Sequence, residues 1–329
     1  MKLDGKTIAI TGIGGFIGGR MAERARQEGM DVRGLDISDD AAADARELGA
    51  EVIIGDVCDP ESVARLLQGA DIVFHTAAIV RESGDMETFR QVNVEGSRLI
   101  ARTAAEMGVE RFVHLSSVMV YGFDFPANVD ESGPFRGEGN PYCTTKYESE
   151  QAVLDFHGDG DLEVTVIRPG DVYGPGSMPW VIRPLELMQQ GLFMLPDGGH
   201  GVLDPTYIDN LIDAVLLTIR TDATGEAFNV TDGMAMETRH FFKYHADMLG
   251  KERILTLPSW LIKPIFAMIE LGARAFGVQP PASVAALHFI NKPHGYSNQK
   301  ILELGHEPRV GLDTGMRRVE DWARQEGLI

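Results

Sequence analysis

Cysteine and basic residues are both scarce in this chain of 329 residues. Its two cysteines, Cys58 and Cys143, lie in different predicted elements, so a disulfide-rich secreted fold is disfavoured and a cytoplasmic, disulfide-free protein is expected. Lys and Arg total 30 against 49 Asp and Glu, which gives a net charge of −19 at pH 7. This acidic excess argues against partners such as nucleic acid.

Several other signals are missing. The chain enters an apolar strand pattern within seven residues, so no secretory leader is expected. It shows no internal repeat and no low-complexity tract. The histidines lack the spacing of a metal site, and no metal is expected. With 44% hydrophobic residues, the chain can bury the core of one large domain or two closely joined domains.

The pattern that is present alternates strand and helix through the first half. Apolar runs predict strands at residues 7–11, 31–35, 51–54, 71–75, 111–116 and 163–168. Helical periodicity follows at residues 16–28, 60–67, 86–107 and 141–157. This alternation predicts an α/β fold with a doubly wound parallel sheet, the Rossmann architecture.

A glycine-rich turn follows the first strand. Gly12, Gly15 and Gly18 let the backbone turn sharply, approach a phosphate and pack the next helix closely. The helix N-terminus then directs free N–H groups at the anion. Asp36 closes the second strand, where a carboxylate accepts hydrogen bonds from a ribose 2′-OH but repels a 2′-phosphate, so the predicted cofactor is NAD. Arg33, the opposing signal, is interpreted as an exposed strand residue.

Candidate catalytic residues lie between residues 111 and 147. Tyr142 and Lys146 are four apart in a helical pattern, so both project from one face. A neighbouring ammonium and a bound nicotinamide cation would lower the pKa of the phenol, which makes Tyr142 a candidate general base. Ser117 follows the fifth strand, at the edge of the sheet where ligands bind, and could hold the substrate oxygen.

These residues stand within a set of motifs that resembles the extended short-chain dehydrogenase/reductases. The motifs are residues 11–18 (TGIGGFIG), 55–57 (GDV), 75–78 (HTAA), 93–96 (NVEG), 116–122 (SSVMVYG), 142–146 (YCTTK) and 168–175 (RPGDVYGP). The resemblance implies a catalytic triad of Ser117, Tyr142 and Lys146. The cofactor contacts that it implies, with the glycine loop included, are Gly12, Gly15, Phe16, Ile17, Gly18, Asp36, Asp56, Val57, Ala77, Ala78, Asn93, Tyr142, Lys146, Pro169 and Val172. Asn93 would act by positioning its neighbours.

The resemblance also implies two domains and a dimer. A dinucleotide-binding domain would comprise residues 1–170 and receive about 203–231. A smaller substrate-binding domain would comprise 171–202 and 232–329. A homodimer would form through the helices at 86–107 and 141–157.

Local features bear on the reaction. Val118 and Met119 follow Ser117 where 4,6-dehydratases place an acidic residue, so dehydration is disfavoured. Leu203 stands where nucleotide-sugar epimerases present an arginine to the substrate pyrophosphate. An epimerase would then need another arginine, such as Arg183 or Arg239. A third alternative is a non-catalytic NAD-binding sensor or assembly subunit.

The segment 257–276 is long and apolar enough to raise the question of a membrane span. Lys263, Glu270 and Arg274 interrupt it on one predicted face, and Pro264 falls in an early turn, so an amphipathic helix is favoured. It is either a core helix or a lid over an apolar pocket that could touch a membrane.

The chain end, residues 296–308 followed by a helical segment ending near Trp322, resembles the 3β-hydroxysteroid dehydrogenase branch of the family. We therefore expect an NAD-dependent oxidoreductase. It would interconvert a secondary alcohol and a ketone on a small hydrophobic, steroid- or terpenoid-like substrate.

Overall fold

Short apolar runs form the strands of a computed structural model that describes residues 1–137, 139–275 and 284–329. The strands are β1 (Thr7–Thr11), β2 (Asp31–Asp36), β3 (Glu51–Ile54), β4 (Ile72–His75), β5 (Arg111–Leu115), β6 (Glu163–Pro169), β7 (Asp171–Tyr173), β8 (Met194–Pro196), β9 (Val202–Leu203), β10 (Pro205–Tyr207), β11 (Glu226–Val230), β12 (Met236–Glu237) and β13 (Leu255–Leu257).

Helices connect these strands. They are α1 (Phe16–Gln27), α2 (Ala43–Glu47), α3 (Pro60–Leu67), α4 (Met86–Arg90), α5 (Ser97–Glu106), α6 (Pro141–Leu154), α7 (Arg183–Gln189), α8 (Ile208–Arg220), α9 (Thr238–Met248), α10 (Ser259–Ala275), α11 (Val284–Ile290), α12 (Gln299–Glu303) and α13 (Leu312–Gln325). Two π-helical segments, Gln91–Gly96 and Met178–Ile182, precede α5 and α7.

Seven strands form one parallel sheet in the order β11-β6-β5-β4-β1-β2-β3. Successive side chains of β1 enter opposite cores, because a strand alternates its faces. Ile8 and Ile10 pack with α1 and α8, whereas Ala9 packs in the core that holds α3, α5 and α6. The predicted doubly wound α/β fold is therefore confirmed.

The predicted boundaries are close to the observed ones, with two differences. The helix expected over 86–107 comprises α4, the π-helical turn and α5. The helix expected over 141–157 ends at Leu154. The chain leaves the sheet after β6 and returns in β11, which adds the last strand beside β6.

Short strand pairs and helices cover the carboxyl end of the sheet. Strand β7 pairs with β10, β9 with β12, and β8 with β13. Helices α7, α9, α10 and α11 lie around this end of the molecule and contribute side chains to one large cleft. None of the helices among the described residues is long and apolar enough to cross a membrane.

Candidate active site

A cleft of about 1450 Å³ opens at the carboxyl ends of the parallel strands. Of the residues predicted to form the site, those that line it are Gly12, Gly15, Phe16, Ile17, Gly18, Asp36, Asp56, Val57, Ala77, Ala78, Ser117, Tyr142, Lys146, Pro169 and Val172. Asn93 does not line the cleft. The fold thus brings together residues that lie up to 160 positions apart in sequence.

The glycine turn between β1 and α1 leaves no room for larger side chains. Gly12 has φ +68°, a conformation that favours glycine. A Cβ at Gly18 would lie 2.1 Å from the Gly12 carbonyl oxygen, so the helix packs directly against the turn. Gly15 caps α1 without a side-chain hydrogen bond, which keeps the amides of the first turn available to an anion.

Asp36 closes β2 beside this turn. Its Oδ2 accepts a hydrogen bond from the Gly14 amide at 2.9 Å, and its Oδ1 accepts one from the Ser38 amide at 3.0 Å. Each carboxylate oxygen retains a lone pair for a ribose hydroxyl. The turn, the helix end and this carboxylate fit an adenine dinucleotide.

Arg33 is not the exposed residue that was expected. Its guanidinium pairs with Glu51 at 2.9 Å and donates to the carbonyl oxygens of Leu66 and Gln68, so it is half-buried. These partners hold it on the strand edge, and it does not line the cleft.

Helix α6 carries Tyr142 and Lys146. Pro141 occupies its first turn, and the Asn140 side chain caps it by accepting hydrogen bonds from the amides of Tyr142 and Cys143. Ser117 follows β5, and its hydroxyl oxygen accepts from the Met119 amide at 3.2 Å. The cap and the strand end therefore bring the serine and tyrosine side chains together, and the Ser117 hydroxyl acts to lower the pKa of Tyr142.

The pKa values of Tyr142 and Lys146 differ from the expectation that Lys146 would lower the pKa of the phenol. Burial raises the pKa of Tyr142 to about 12, and the nearby Ser117 hydroxyl offsets only part of this effect. The Lys146 ammonium donates to the Leu115 carbonyl oxygen at 2.5 Å, and burial lowers its pKa to about 8. Desolvation therefore outweighs any lowering of the phenol pKa by Lys146. A cation bound beside the phenol would act in the opposite direction and favour the phenolate.

Asn93 positions other residues. It lies in the π-helical turn, where its Oδ1 accepts from the Ile79 amide at 2.7 Å and its Nδ2 donates to the Thr145 hydroxyl at 3.0 Å. Thr145 in turn donates to the Pro141 carbonyl oxygen at 2.7 Å. These bonds connect the loop after β4 to the first turn of α6, so Asn93 acts on the site from behind the cleft.

His75 extends this buried network. The Thr11 hydroxyl already accepts from the amides of Thr76 and Ala77 and donates its proton to His75 Nδ1, at 2.7 Å. His75 Nε2 then donates to Ser97, whose hydroxyl donates to the Asn93 carbonyl oxygen. Burial lowers the pKa of His75 to about 3, so the ring is neutral, as this chain of bonds requires.

The sequence analysis did not identify a buried ion pair close to Lys146, although two features of the sequence could have revealed it. Glu150 lies one helical turn beyond Lys146 and binds Arg168 of β6 through two hydrogen bonds. These features are the spacing of Glu150 and the position of Arg168. Glu150 continues the i, i+4 spacing of Tyr142 and Lys146, and Arg168 is a charged residue in an apolar strand.

The other end of the cleft is mostly apolar. Aromatic side chains from five different segments line it, and these are Trp180, Phe193, Phe242, Phe266 and Phe289. Phe289 lies beside the catalytic candidate, with 6.4 Å between its ring centroid and that of Tyr142. This half of the cleft therefore suits an apolar ligand.

The three residues on which the epimerase alternative depends lie in different parts of the structure. Leu203 is fully buried in the core and does not line the cleft, so it offers no apolar contact to a ligand there. Arg239 pairs with Glu237 away from the cleft. Arg183 does line the cleft, where it donates to Glu82 at 2.7 Å.

Helix α10 presents apolar side chains on two sides. Ile262 is buried and Phe266 lines the cleft, whereas Trp260 is 72% exposed and Met268 69% exposed. The helix is thus a wall of the cleft with an apolar outer surface. Pro264 lies inside it. Phe276 and the Arg274 side chain, two residues of the predicted segment, lie outside the described residues.

Comparisons with known proteins agree with this geometry. The family model of the NAD dependent epimerase/dehydratase family matches residues 8–231. A 4-hydroxy-2-methyl-3-oxo-4-farnesyl-3,4-dihydroquinoline-1-oxide ketoreductase from Stigmatella aurantiaca is 28% identical, over 97% of this chain and 96% of its own. A 3beta-hydroxysteroid-dehydrogenase/decarboxylase from Arabidopsis thaliana is 27% identical, over 82% of this chain and 66% of its own.

A solved structure shares the fold. The crystal structure of UDP-glucose 4-epimerase with UDP-glucose from Thermotoga maritima has a TM-score of 0.80 to this chain, with 22% identity. The match covers 97% of this chain and 99% of that one. At this identity the likeness is one of fold.

Proposed function

This chain belongs to the NAD-dependent epimerase/dehydratase family, and from that membership we propose that it is an oxidoreductase that interconverts a secondary alcohol and a ketone on an apolar substrate. The observation that carries the proposal is the aromatic half of the cleft, which meets the candidate triad at Tyr142 and Phe289. The ketoreductase and 3beta-hydroxysteroid-dehydrogenase relatives support the same reaction class.

In this proposal the chain's own residues handle the oxygen and its proton. The Ser117 hydroxyl holds the carbinol oxygen beside the Tyr142 oxygen, and Tyr142, as the phenolate, takes the alcohol proton during oxidation. The chemistry that NAD supplies when bound is acceptance of a hydride from the carbinol carbon. Reduction of the ketone returns the proton from Tyr142 to the same oxygen.

The remaining site residues would bind and orient the dinucleotide and the substrate. Gly12, Gly15 and Gly18, with the first turn of α1, would hold the pyrophosphate, and Asp36 the adenosine ribose. Lys146 would hold the nicotinamide ribose. Aromatic side chains would exclude water from the reacting carbon, which suits a steroid- or terpenoid-like ring or chain.

Arg183 favours a second candidate, a nucleotide-sugar 4-epimerase. It lines the cleft and could bind a pyrophosphate, although its pairing with Glu82 places a carboxylate at the same point. An epimerase would use the same three residues and would regenerate NAD within each cycle.

One assay separates the two candidates. Purified protein is incubated with NAD and 3β-hydroxysteroids or smaller apolar secondary alcohols, and absorbance at 340 nm is followed. Exchange of UDP-glucose with UDP-galactose is measured in parallel, and a Tyr142→Phe variant is the control. NADH formed with an apolar alcohol supports the proposal. Sugar exchange without net NADH would replace the proposal with the epimerase. The absence of both activities would contradict both candidates.

A further inference from the structure

A buried ion pair connects the C-terminal part of the chain to the rim of the cleft. The Lys292 ammonium contacts both carboxylate oxygens of Asp171, at 2.8 and 2.9 Å. Their side chains are 1% and 7% exposed. The two residues are 121 positions apart, so the pair links segments that the sequence does not place together.

Each partner lies next to a functional part of the site. Asp171 begins β7, two residues after Pro169, and it lines the cleft itself. Lys292 comes two residues after the end of α11, and its carbonyl oxygen accepts from the Val202 amide at 2.8 Å. Lys292 is therefore held through both its side chain and its backbone.

Helix α11 supplies part of the apolar wall. Its residues Leu287, Phe289 and Ile290 line the cleft. Phe289 packs edge-on against Phe123, with ring centroids 5.2 Å apart, and its ring centroid lies 6.4 Å from that of Tyr142. Any shift of this short helix would therefore move the wall relative to the catalytic candidate.

Stability does not account for such a pair. Removing two charges from water costs free energy that their attraction only partly returns, and apolar replacements of similar volume are often neutral. A lysine and an aspartate here do, however, resist separation, because either charge left unpaired in the core is strongly unfavourable. The pair is suited to fixing a position.

We propose that Lys292 is a positioning residue, whose pairing with Asp171 fixes the end of α11 against β7 and so places Phe289 beside Tyr142 to orient the apolar substrate. This inference rests on the proposed function for its substrate and on the buried pair for its geometry. It assigns to the pair a role in substrate placement and none in binding of the dinucleotide.

The test uses a double variant that removes both charges of the pair, Asp171→Asn with Lys292→Met. Hydrogen exchange of the amides in residues 284–290 is measured in the full chain without substrate. We expect their exchange to accelerate roughly tenfold while that of β1 and β5 stays unchanged, because only the local opening of α11 becomes easier. Thermal melting confirms that the variant is folded.

The matched control is Lys300→Met, which removes a lysine of the same C-terminal region from a partly exposed pair with Glu226. It should leave exchange in residues 284–290 unchanged. Unchanged exchange in the double variant would overturn the inference, as would equal acceleration in the control.

Steady-state kinetics supply the second measurement. The double variant should raise KM for the apolar substrate roughly tenfold while kcat and the Kd for NAD change less than about twofold, the pattern of lost substrate placement. A fall in NAD affinity of the same size would contradict the inference. A wild-type chain that converts no alcohol or ketone would overturn the proposed function instead, and the exchange measurement would then decide the role of the pair by itself.

Discussion

Glu150 accepts two hydrogen bonds from the guanidinium of Arg168, from Nε at 2.9 Å and from Nη2 at 2.6 Å. Both side chains are buried, and the Ser116 hydroxyl also donates to Glu150. Ser116 precedes Ser117, and Glu150 lies one turn beyond Lys146. The ion pair therefore joins α6 to β6 and to the end of β5, next to the candidate triad.

Breaking this pair on one side should be costly. Arg168→Met leaves the Glu150 carboxylate buried without its cation, so the free energy of unfolding should fall by about 3–5 kcal/mol in urea titrations. The double variant Arg168→Met with Glu150→Gln should recover most of that loss. Equal losses in the single and double variants would show that the pair does not determine the stability of this region.

The tight turn between β1 and α1 predicts that alanine has very different effects on stability and NAD binding at Gly18 and at Gly19. Gly18→Ala places a methyl group 2.1 Å from the Gly12 carbonyl oxygen, so the turn must shift. Stability should fall by roughly 1–3 kcal/mol, and NAD binding measured by calorimetry should weaken at least about tenfold. Gly19→Ala meets only Ile13 oxygen at 3.4 Å. It should bind NAD normally, and weak binding by both variants would contradict the packing argument.

The proton-transfer role of Tyr142 predicts separate effects on chemistry and binding. Tyr142→Phe keeps the buried ring and removes the hydroxyl, so turnover should fall by about 10²–10⁴-fold. The Kd for NAD should change little. Retained turnover in stopped-flow assays would exclude Tyr142 as the general base.

Burial of Lys146 predicts a pH dependence of stability. Its pKa is about 8 in the folded chain against an ordinary value of 10.5, so between these values the unfolded chain binds more protons and stability rises with pH. Below pH 8 the charged amine destabilises the fold, and Lys146→Met should be more stable than wild type by roughly 1–3 kcal/mol at pH 7. The advantage should shrink from pH 8 to 10.5. Urea titrations across this range measure it, and a constant difference would contradict the assignment.

Periodicity located most of the central fold. The runs that form β1 to β6 are apolar, and they are separated by helical stretches, so the parallel sheet followed from the pattern alone. Strand β11 carries a weaker signal, because Glu226 and Asn229 interrupt its apolar residues. Helix α6 shows no amphipathic stripe, since both of its sides are largely buried.

The site was predictable where its residues follow strand ends or helical spacing. Ser117, Tyr142 and Asp36 could be placed in this way. The role of Lys292 could not, because its partner Asp171 is 121 residues away and no local spacing connects them. The pKa of Tyr142 was also out of reach, because desolvation depends on the side chains packed around the phenol and not on its neighbours in sequence.

The late return of the chain to its main sheet has a consequence during synthesis. Strand β6 pairs on one side with β5 and on the other with β11, and 56 residues separate Pro169 from Glu226. Until β11 has emerged from the ribosome, β6 is an open, apolar edge able to pair with other nascent chains. Fragments that stop short of β11 should therefore aggregate, and productive folding depends on completing this outermost strand.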